Sequence, residues 1–157
     1  MKRILAVIDR CSGCRLCEMI CSFVHEKAFS SSASRITVIK EDAFGLDLPV
    51  LCCHCDPCSA AANCPTTALV KNDEGFIVVK EEECIGCGKC SETCLVGGIK
   101  LHPETNIPLI CDQCGGKPRC VEECPTKALI YVDLEGWRPK PPSEIINETL
   151  RRWGVTA

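Results

Sequence analysis

Hydrophobic positions along the chain form short segments rather than long continuous stretches. Residues 4–8 are all apolar, and residues 35–39 alternate β-branched with polar side chains, so each segment predicts a short strand. Residues 68–80 place two apolar segments around a turn that contains Gly75, which predicts a β-hairpin. The pattern therefore indicates a fold built from short strands and turns.

The C-terminal segment has a helical period instead. The apolar positions of residues 143–153 fall on one helix face: Ile145, Ile146, Thr149, Leu150 and Trp153. Ser143 is predicted to cap this helix and Gly154 to end it, after an extended linker over residues 137–142. We expect an appendage to the main body. Its apolar face has two open roles, packing back onto that body and docking to a partner subunit.

Composition indicates that ordinary apolar packing is not enough to hold this fold. Cysteine accounts for 17 of 157 residues, and aromatic residues for only 4%. Few large side chains are therefore available for a core. Metal–thiolate bonds can compensate, because assembling ligands in a folded site converts metal affinity into folding free energy. We predict that the metal-free chain is largely unfolded.

Charge and hydropathy exclude some classes of partner and location. Only five apolar residues follow Met1–Arg3, and no later stretch approaches twenty, so we expect no membrane span and a reducing, cytoplasmic location. Export of the folded chain with a signal-bearing partner stays open. The formal charge is -3 and no basic run occurs, which disfavours nucleic acid as a partner.

Sixteen of the cysteines fall into four groups with regular spacing. The groups are Cys11, Cys14, Cys17, Cys21; Cys52, Cys55, Cys58, Cys64; Cys84, Cys87, Cys90, Cys94; and Cys111, Cys114, Cys120, Cys124. The first and third have the spacing CxxCxxCxxxC, with which bacterial ferredoxins hold one 4Fe-4S cluster and supply one ligand to a second. Zinc sites use two CxxC pairs and do not need the third cysteine. The sequence therefore predicts four 4Fe-4S clusters.

An internal repeat at an offset of about sixty residues indicates two similar modules. The segment CPTTAL at residues 64–69 matches CPTKAL at residues 124–129, and DEGF at 73–76 matches LEGW at 134–137. We predict an α+β fold: a duplicated bacterial-ferredoxin-like arrangement of short β-hairpins and short helices around iron-sulfur clusters, with little conventional core. An inner two-cluster module is predicted over residues 48–102. An outer two-cluster module, formed by residues 1–47 plus 103–136, encloses it. Residues 137–157 are predicted to form a C-terminal linker and a helix.

In this nested arrangement each group supplies its last cysteine to the partner group. The predicted ligand sets are Cys11, Cys14, Cys17 with Cys124; Cys111, Cys114, Cys120 with Cys21; Cys52, Cys55, Cys58 with Cys94; and Cys84, Cys87, Cys90 with Cys64. Pairing of neighbouring groups, one with two and three with four, is the alternative. Cys53 is left over, and we predict a buried thiol beside the cluster rather than a ligand.

Other polar residues near the cysteines have weaker indications. His54 is the one histidine inside a cysteine group, so a hydrogen-bonding role beside a cluster is expected rather than ligation by a histidine pair. Lys89, Arg15 and Lys117 are candidates for raising reduction potentials, with solvated surface cations as the alternative. No nucleotide-binding loop or catalytic triad is present, so we expect no catalytic residues and no independent enzyme activity.

The cysteine layout with CPTTAL and CPTKAL resembles the polyferredoxin subunits of multi-subunit oxidoreductases, over about residues 1–135. The segments CSGCRLCEMICSFVHE at 11–26 and SRITV at 34–38 are most similar to subunits that accompany tungsten-dependent aldehyde oxidoreductases and their benzoyl-coenzyme A reductase relatives. This resemblance implies nested pairing and a non-catalytic subunit that relays single electrons. It also implies a tungsten or molybdenum catalytic partner, with a flavin-containing subunit as a second candidate. A free soluble polyferredoxin that shuttles between enzymes is the alternative, and self-association stays open.

Overall fold

The computed structural model describes residues 2–133 and 138–155 and consists of short strands and short helices. The strands are β1 Lys2–Ala6, β2 Ile36–Glu41, β3 Leu46–Leu51, β4 Leu69–Lys71, β5 Ile77–Val79, β6 Lys100–Leu101, β7 Pro108–Leu109 and β8 Leu129–Asp133. The helices are α1 Leu16–Glu26, α2 Ser59–Ala62, α3 Lys89–Thr93, α4 Arg119–Glu122 and α5 Pro142–Arg152. Among these residues no helix is long and apolar enough to cross a membrane.

The strands form four separate antiparallel pairs: β1 with β8, β2 with β3, β4 with β5, and β6 with β7. The β1–β8 pair joins residues more than a hundred positions apart, with Ile4 opposite Tyr131. The predicted hairpin is confirmed, since Leu69 pairs with Val79 and Gly75 adopts a positive φ in the turn between them. Two of the helix pairs are also in contact, α1 with α4 and α2 with α3.

The strand predicted over residues 4–8 is displaced toward the N-terminus. β1 ends at Ala6, and a 3-10 turn follows over Ile8–Arg10, where the Cys11 amide donates to the Ile8 carbonyl. Since five apolar residues in a row do not fix a register, the limits depend on the distant partner β8. The strand predicted over residues 35–39 is confirmed, with limits of Ile36–Glu41.

Buried side chains form two cores of different composition. The larger, which we call the cysteine-rich core, includes five buried cysteines together with aliphatic residues of the strands: Ile4, Cys21, Ile36, Leu51, Cys52, Ala60, Leu69, Ile77, Cys90, Ile99, Ile110, Cys111, Cys120 and Leu129. The smaller, the aliphatic core, lies between β3, the 3-10 turn and α5: Ile8, Leu46, Leu48, Val50 and Leu150. Few aromatic side chains contribute to either.

Helix α5 packs onto β3, so of the two open roles for its apolar face, packing onto the body is the one observed. The prediction of Ser143 as N-cap is wrong. The helix begins at Pro142, which already has the φ that the first turn requires, and its cap Pro141 has no polar side-chain atom with which to make a capping hydrogen bond. Gly154 follows the last turn with a positive φ, as predicted. Trp153 is 47% exposed and does not belong to the buried face, and Trp137 of the predicted linker lies outside the described residues.

Candidate iron-sulfur sites

The first site combines the loop before α1 with the residue that follows α4 and its C-cap. Four cysteines line one cavity of about 310 Å³: Cys11, Cys14, Cys17 and Cys124. Gly13 adopts a φ of +64° there, and the Asp47 side chain lies so close to it that a Cβ would collide. Glycine therefore suits this position, since another residue would be strained at this φ and would displace the Asp47 side chain.

The second site combines α1 with the loop before α4. Four cysteines line a cavity of about 330 Å³: Cys21, Cys111, Cys114 and Cys120. Three of them are buried, and burial raises the pKa of the Cys111 thiol to about 12. This site has more buried cysteines than any of the other three.

The third and fourth sites lie in the middle of the chain. A cavity of about 300 Å³ is lined by the cysteines of the fourth site: Cys64, Cys84, Cys87 and Cys90. The cysteines of the third site, Cys52, Cys55, Cys58 and Cys94, are grouped by their electrostatic interactions. Cys94 and Cys55 both raise the pKa of Cys52 and of Cys58, in addition to the larger effect of burial.

One backbone feature is common to all four cysteine groups. The residue directly before the second cysteine has a φ between +51° and +64°: Gly13, His54, Gly86 and Gln113. Glycine at positions 13 and 86 is a sequence signal for this left-handed conformation, whereas histidine and glutamine carry none. Their side chains are buried and bonded instead. The Ile77 amide donates to His54 Nδ1 at 2.9 Å, and the Tyr131 hydroxyl donates to Gln113 Oε1 at 3.1 Å.

The donor chemistry of these sites fits iron-sulfur clusters. Burial raises the pKa of Cys17 and of Cys52 to about 12, and it also raises the pKa of Cys120. Such thiols are protonated at neutral pH unless a metal displaces the proton, since a thiolate is the metal ligand. Sets of four cysteines around one cavity match the all-cysteine ligation of 4Fe-4S clusters.

Cys53 is buried beside the third site, as predicted, and its Sγ lies 3.5 Å from Cys55 Sγ. Their hydrogen bond raises the pKa of Cys53 and lowers the pKa of Cys55 to about 7. Cys55 is therefore the better thiolate of the two. A non-ligand role for Cys53 stays a prediction.

His54 is also buried at this point of the fold. Burial, and secondarily the Arg3 guanidinium, lower the pKa of its imidazole to about 4, so the ring is neutral. Because Nδ1 accepts from the Ile77 amide, the ring proton resides on Nε2. His54 connects the cysteine loop of the third site to the β4–β5 hairpin through this hydrogen bond, rather than forming half of a histidine pair that ligates iron.

Several charged residues near the sites carried no sequence signal. Glu18 is only 2% exposed and its Oε1 accepts from the Val38 amide at 2.6 Å. Arg35 and Asp112 form an ion pair at 2.9 Å beside the second site, although 77 positions separate them. Of the cations singled out from the sequence, Lys89 is exposed and paired with Glu92. Long-range contacts, invisible in local patterns, decide which charges face the cavities.

Comparison with known proteins identifies relatives across most of the chain. No protein-family model matches. The polyferredoxin-like subunit of aliphatic sulfonate oxidoreductase from Pyrococcus furiosus is 43% identical over 122 residues, covering 77% of this chain and 70% of that protein. The B subunit of anaerobic dimethyl sulfoxide reductase from Escherichia coli K12 is 32% identical over 150 residues, covering 84% and 73% respectively.

Solved structures support the fold. A chain of the BamBC active-site complex of benzoyl coenzyme A reductase, solved with benzoyl-CoA, superposes with a TM-score of 0.52 and 24% identity. The match covers 99% of this chain and 93% of that one. The predicted arrangement of short hairpins and short helices is thus confirmed as the fold of a ferredoxin-like subunit. The chain belongs to the polyferredoxin-like family of iron-sulfur electron-transfer subunits, the non-catalytic components of multi-subunit oxidoreductases.

Proposed function

We propose that this chain relays single electrons through four 4Fe-4S clusters, between a catalytic redox subunit and a second carrier or subunit. One observation carries the proposal: three cavities are each lined by four cysteines. In each cavity, three of the four come from one cysteine group and the fourth from another. Bound there, each cluster would supply a one-electron carrier.

The proposed ligand sets are those of nested pairing. They are Cys11, Cys14, Cys17 and Cys124; Cys21, Cys111, Cys114 and Cys120; Cys52, Cys55, Cys58 and Cys94; and Cys64, Cys84, Cys87 and Cys90. The first, second and fourth sets are supported by the cavity linings, and the third by electrostatic proximity. The pairing of β1 with β8 and the contact of α1 with α4 also favour an outer module of 1–47 plus 103–136 around an inner module of 48–102.

We further propose that the four sites are connected in the order first, second, third, fourth. Burial is the main cause that raises the pKa of Cys120 and of Cys52. Cys17 of the first site adds to the rise at Cys120 in the second, and Cys111 of the second adds to the rise at Cys52 in the third, as expected for neighbouring sites. The third and fourth sites share the contacting helices α2 and α3. No step of this sequence requires a cysteine outside the four groups.

Exposure at the two ends of this sequence supports entry and exit there. Cys14 of the first site and Cys87 of the fourth are the two exposed cysteines among the described residues. Near Cys87, the apolar side chain of Ile85 is also 67% exposed. Partners are therefore expected to approach the cysteine loops at residues 11–17 and 84–90.

For the partner we propose a tungsten- or molybdenum-containing catalytic subunit of the aldehyde oxidoreductase type, with a flavin-containing subunit as a further component, in the cytoplasm of an anaerobe. The support is the resemblance of residues 11–26 and 34–38 and the structural similarity to a chain of the benzoyl coenzyme A reductase complex. The partner's substrate and the direction of electron flow are separate questions.

The test is anaerobic purification of the tagged chain from its own host, with quantification of iron, zinc, tungsten, molybdenum and nickel. About sixteen irons per chain, with tungsten or molybdenum in a co-purifying protein, is the expected result. About sixteen irons on a chain that purifies alone would favour the free shuttle. Zinc in place of iron would refute both functions.

A further inference from the structure

Asp112 distinguishes the second site from the other three. It occupies the position directly after the first cysteine of its group, where the other groups have Ser12, Cys53 and Ile85. Its Oδ1 accepts from the backbone amide of Cys114 at 2.9 Å. A carboxylate is therefore built into the loop that carries two cysteines of this site, and it supports Cys114 in its positive-φ conformation.

Arg35 opposes this carboxylate from the other side of the site. Its guanidinium lies 2.9 Å from Asp112 Oδ2, and its backbone amide donates to Cys21 Sγ at 3.3 Å. Both residues line the cavity of the second site. The Arg35 side chain is largely buried, and its Nε makes no hydrogen bond to any described residue.

Other charges near this site are less directly placed. Arg119 lines the same cavity and is half exposed, as Asp112 is, but its guanidinium pairs with Glu122 and Glu123. The Lys100 ammonium donates to the Ser31 carbonyl at 2.7 Å. His25 also lines the cavity, and its Nε2 lies 3.5 Å from Asp112 Oδ1. Arg35 and Asp112 are thus the pair of opposite charges that line the cavity and also hydrogen-bond cysteine atoms of the site.

We propose that Arg35 and Asp112 are positioning residues that set the reduction potential of the second site, and that they act in opposite directions. This inference rests on the proposed function, since it requires a cluster at Cys21, Cys111, Cys114 and Cys120. Reduction adds one negative charge in a weakly solvated cavity. The Arg35 cation stabilises that charge and raises the potential, whereas the Asp112 carboxylate opposes it and lowers the potential.

The consequence is local control of one site within a row of four. Among the described residues, Arg35 and Asp112 adjust the potential of the second site without a contact to the cysteines of the fourth site. The cation near the fourth site, Lys89, is exposed and screened by solvent. The Arg35–Asp112 pair also connects the segment before β2 to the cysteine loop before α4. The same contact therefore supports the loop and adjusts the potential of its cluster.

The experiment is a potentiometric titration of the iron-loaded, full-length chain, followed by electron paramagnetic resonance, for wild type, Arg35→Gln and Asp112→Asn. Arg35→Gln should lower the reduction potential of one cluster by about 59 mV. For one electron this is a shift of about tenfold toward the oxidised form. Asp112→Asn should shift the same cluster in the opposite direction. The asparagine carbonyl can still accept from the Cys114 amide, so the loop is preserved.

Two further variants separate electrostatics from structure. Arg35→Lys keeps the charge and should keep the potential, whereas a merely structural arginine would not be replaced by lysine. Arg119→Gln is the matched control, and a smaller shift is predicted because its guanidinium is already paired with Glu122 and Glu123. If Arg35→Gln loses iron, the reduction potential of Asp112→Asn decides whether these charges set the potential of the second site.

Two outcomes would overturn the proposal. One is unchanged potentials in both charge-removing variants, and the other is shifts of the same sign. Either would leave iron content and the number of electrons per chain intact, so the proposed electron-relay function would survive. Failure of that function would appear first in wild type, as missing iron.

Discussion

The two cores of this molecule are held together in different ways. The cysteine-rich core has five cysteines among its fourteen buried residues, and five more cysteines pack against it. The aliphatic core, as far as the structure describes it, consists of five aliphatic side chains and no cysteine. The cysteine-rich core therefore depends on the metal that its thiols bind, whereas the aliphatic core depends on burial of apolar surface alone.

Their difference indicates how a chain with so few aromatic residues can fold. Thiols with pKa values raised by burial pack as small apolar groups in the absence of metal. They contribute more when a cluster crosslinks four of them across distant segments. The aliphatic core gains nothing from metal, but it fixes α5 and the β2–β3 hairpin to the body.

Removal of iron is expected to have the largest effect. Anaerobic chelation should unfold the cysteine-rich core, and the aliphatic core is too small to remain folded alone. We predict loss of the near-UV circular dichroism signal and of any cooperative thermal transition. An iron-free chain that keeps a native-like near-UV signal and unfolds cooperatively would contradict the dependence on metal.

Leu150→Ala tests the aliphatic core separately. Leu150 is 3% exposed, so truncation should cost about 2–5 kcal/mol through lost burial and the cavity that remains. That corresponds to a transition temperature lower by roughly 10 °C, measured anaerobically on the iron-loaded chain. Iron content should not change.

The matched control is Trp153→Ala in the same helix. Because Trp153 is 47% exposed, this larger truncation should lower the transition temperature less than Leu150→Ala does. Equal losses from both variants, or loss of iron in Leu150→Ala, would show that the two cores are not independent.

The ion pair between Arg152 and Asp9 should contribute little. It joins α5 to the 3-10 turn before the first cysteine, with an Arg152–Asp9 distance of 2.6 Å, but both side chains are substantially exposed. Arg152→Gln is expected to cost less than about 1 kcal/mol, and less still at high salt. Thermal unfolding at two salt concentrations measures this; a larger, salt-independent loss would assign the contact a structural role.

Cys53→Ser should have the smallest effect on iron. Its Sγ lies 3.5 Å from Cys55 Sγ beside the third site, and we predict that it packs without ligating. Iron per chain should equal that of wild type, whereas Cys55→Ser, the matched control, should lose iron from one cluster. Iron loss in Cys53→Ser would show that Cys53 is a ligand, and it would contradict the predicted difference in role between Cys53 and Cys55.

Local patterns predicted the elements whose cause is local. The hairpin of β4 and β5 follows from two apolar segments around Gly75, and the end of α5 follows from Gly154. The limits of β1 do not follow from a local pattern, because its register depends on the distant strand β8. Proline at the start of α5 made a serine cap unnecessary, which the Ser143 prediction overlooked.

Around the candidate sites, spacing indicated the cysteine groups but not their surroundings. The positive φ of His54 and Gln113 is maintained by hydrogen bonds to Ile77 and Tyr131, which lie 23 and 18 positions away. The pairing of Arg35 with Asp112 likewise depends on the tertiary fold. No local pattern encodes such contacts, so the residues proposed to adjust a cluster became visible only in three dimensions.

The most direct test of the electron-relay function is a reductive titration of the iron-loaded chain, with electrons and irons counted on the same sample. Four one-electron sites predict uptake of about four electrons and about sixteen irons per chain. Uptake of about two electrons with about eight irons would mean that half of the cysteine groups hold no redox-active cluster. That result would contradict a relay through four sites.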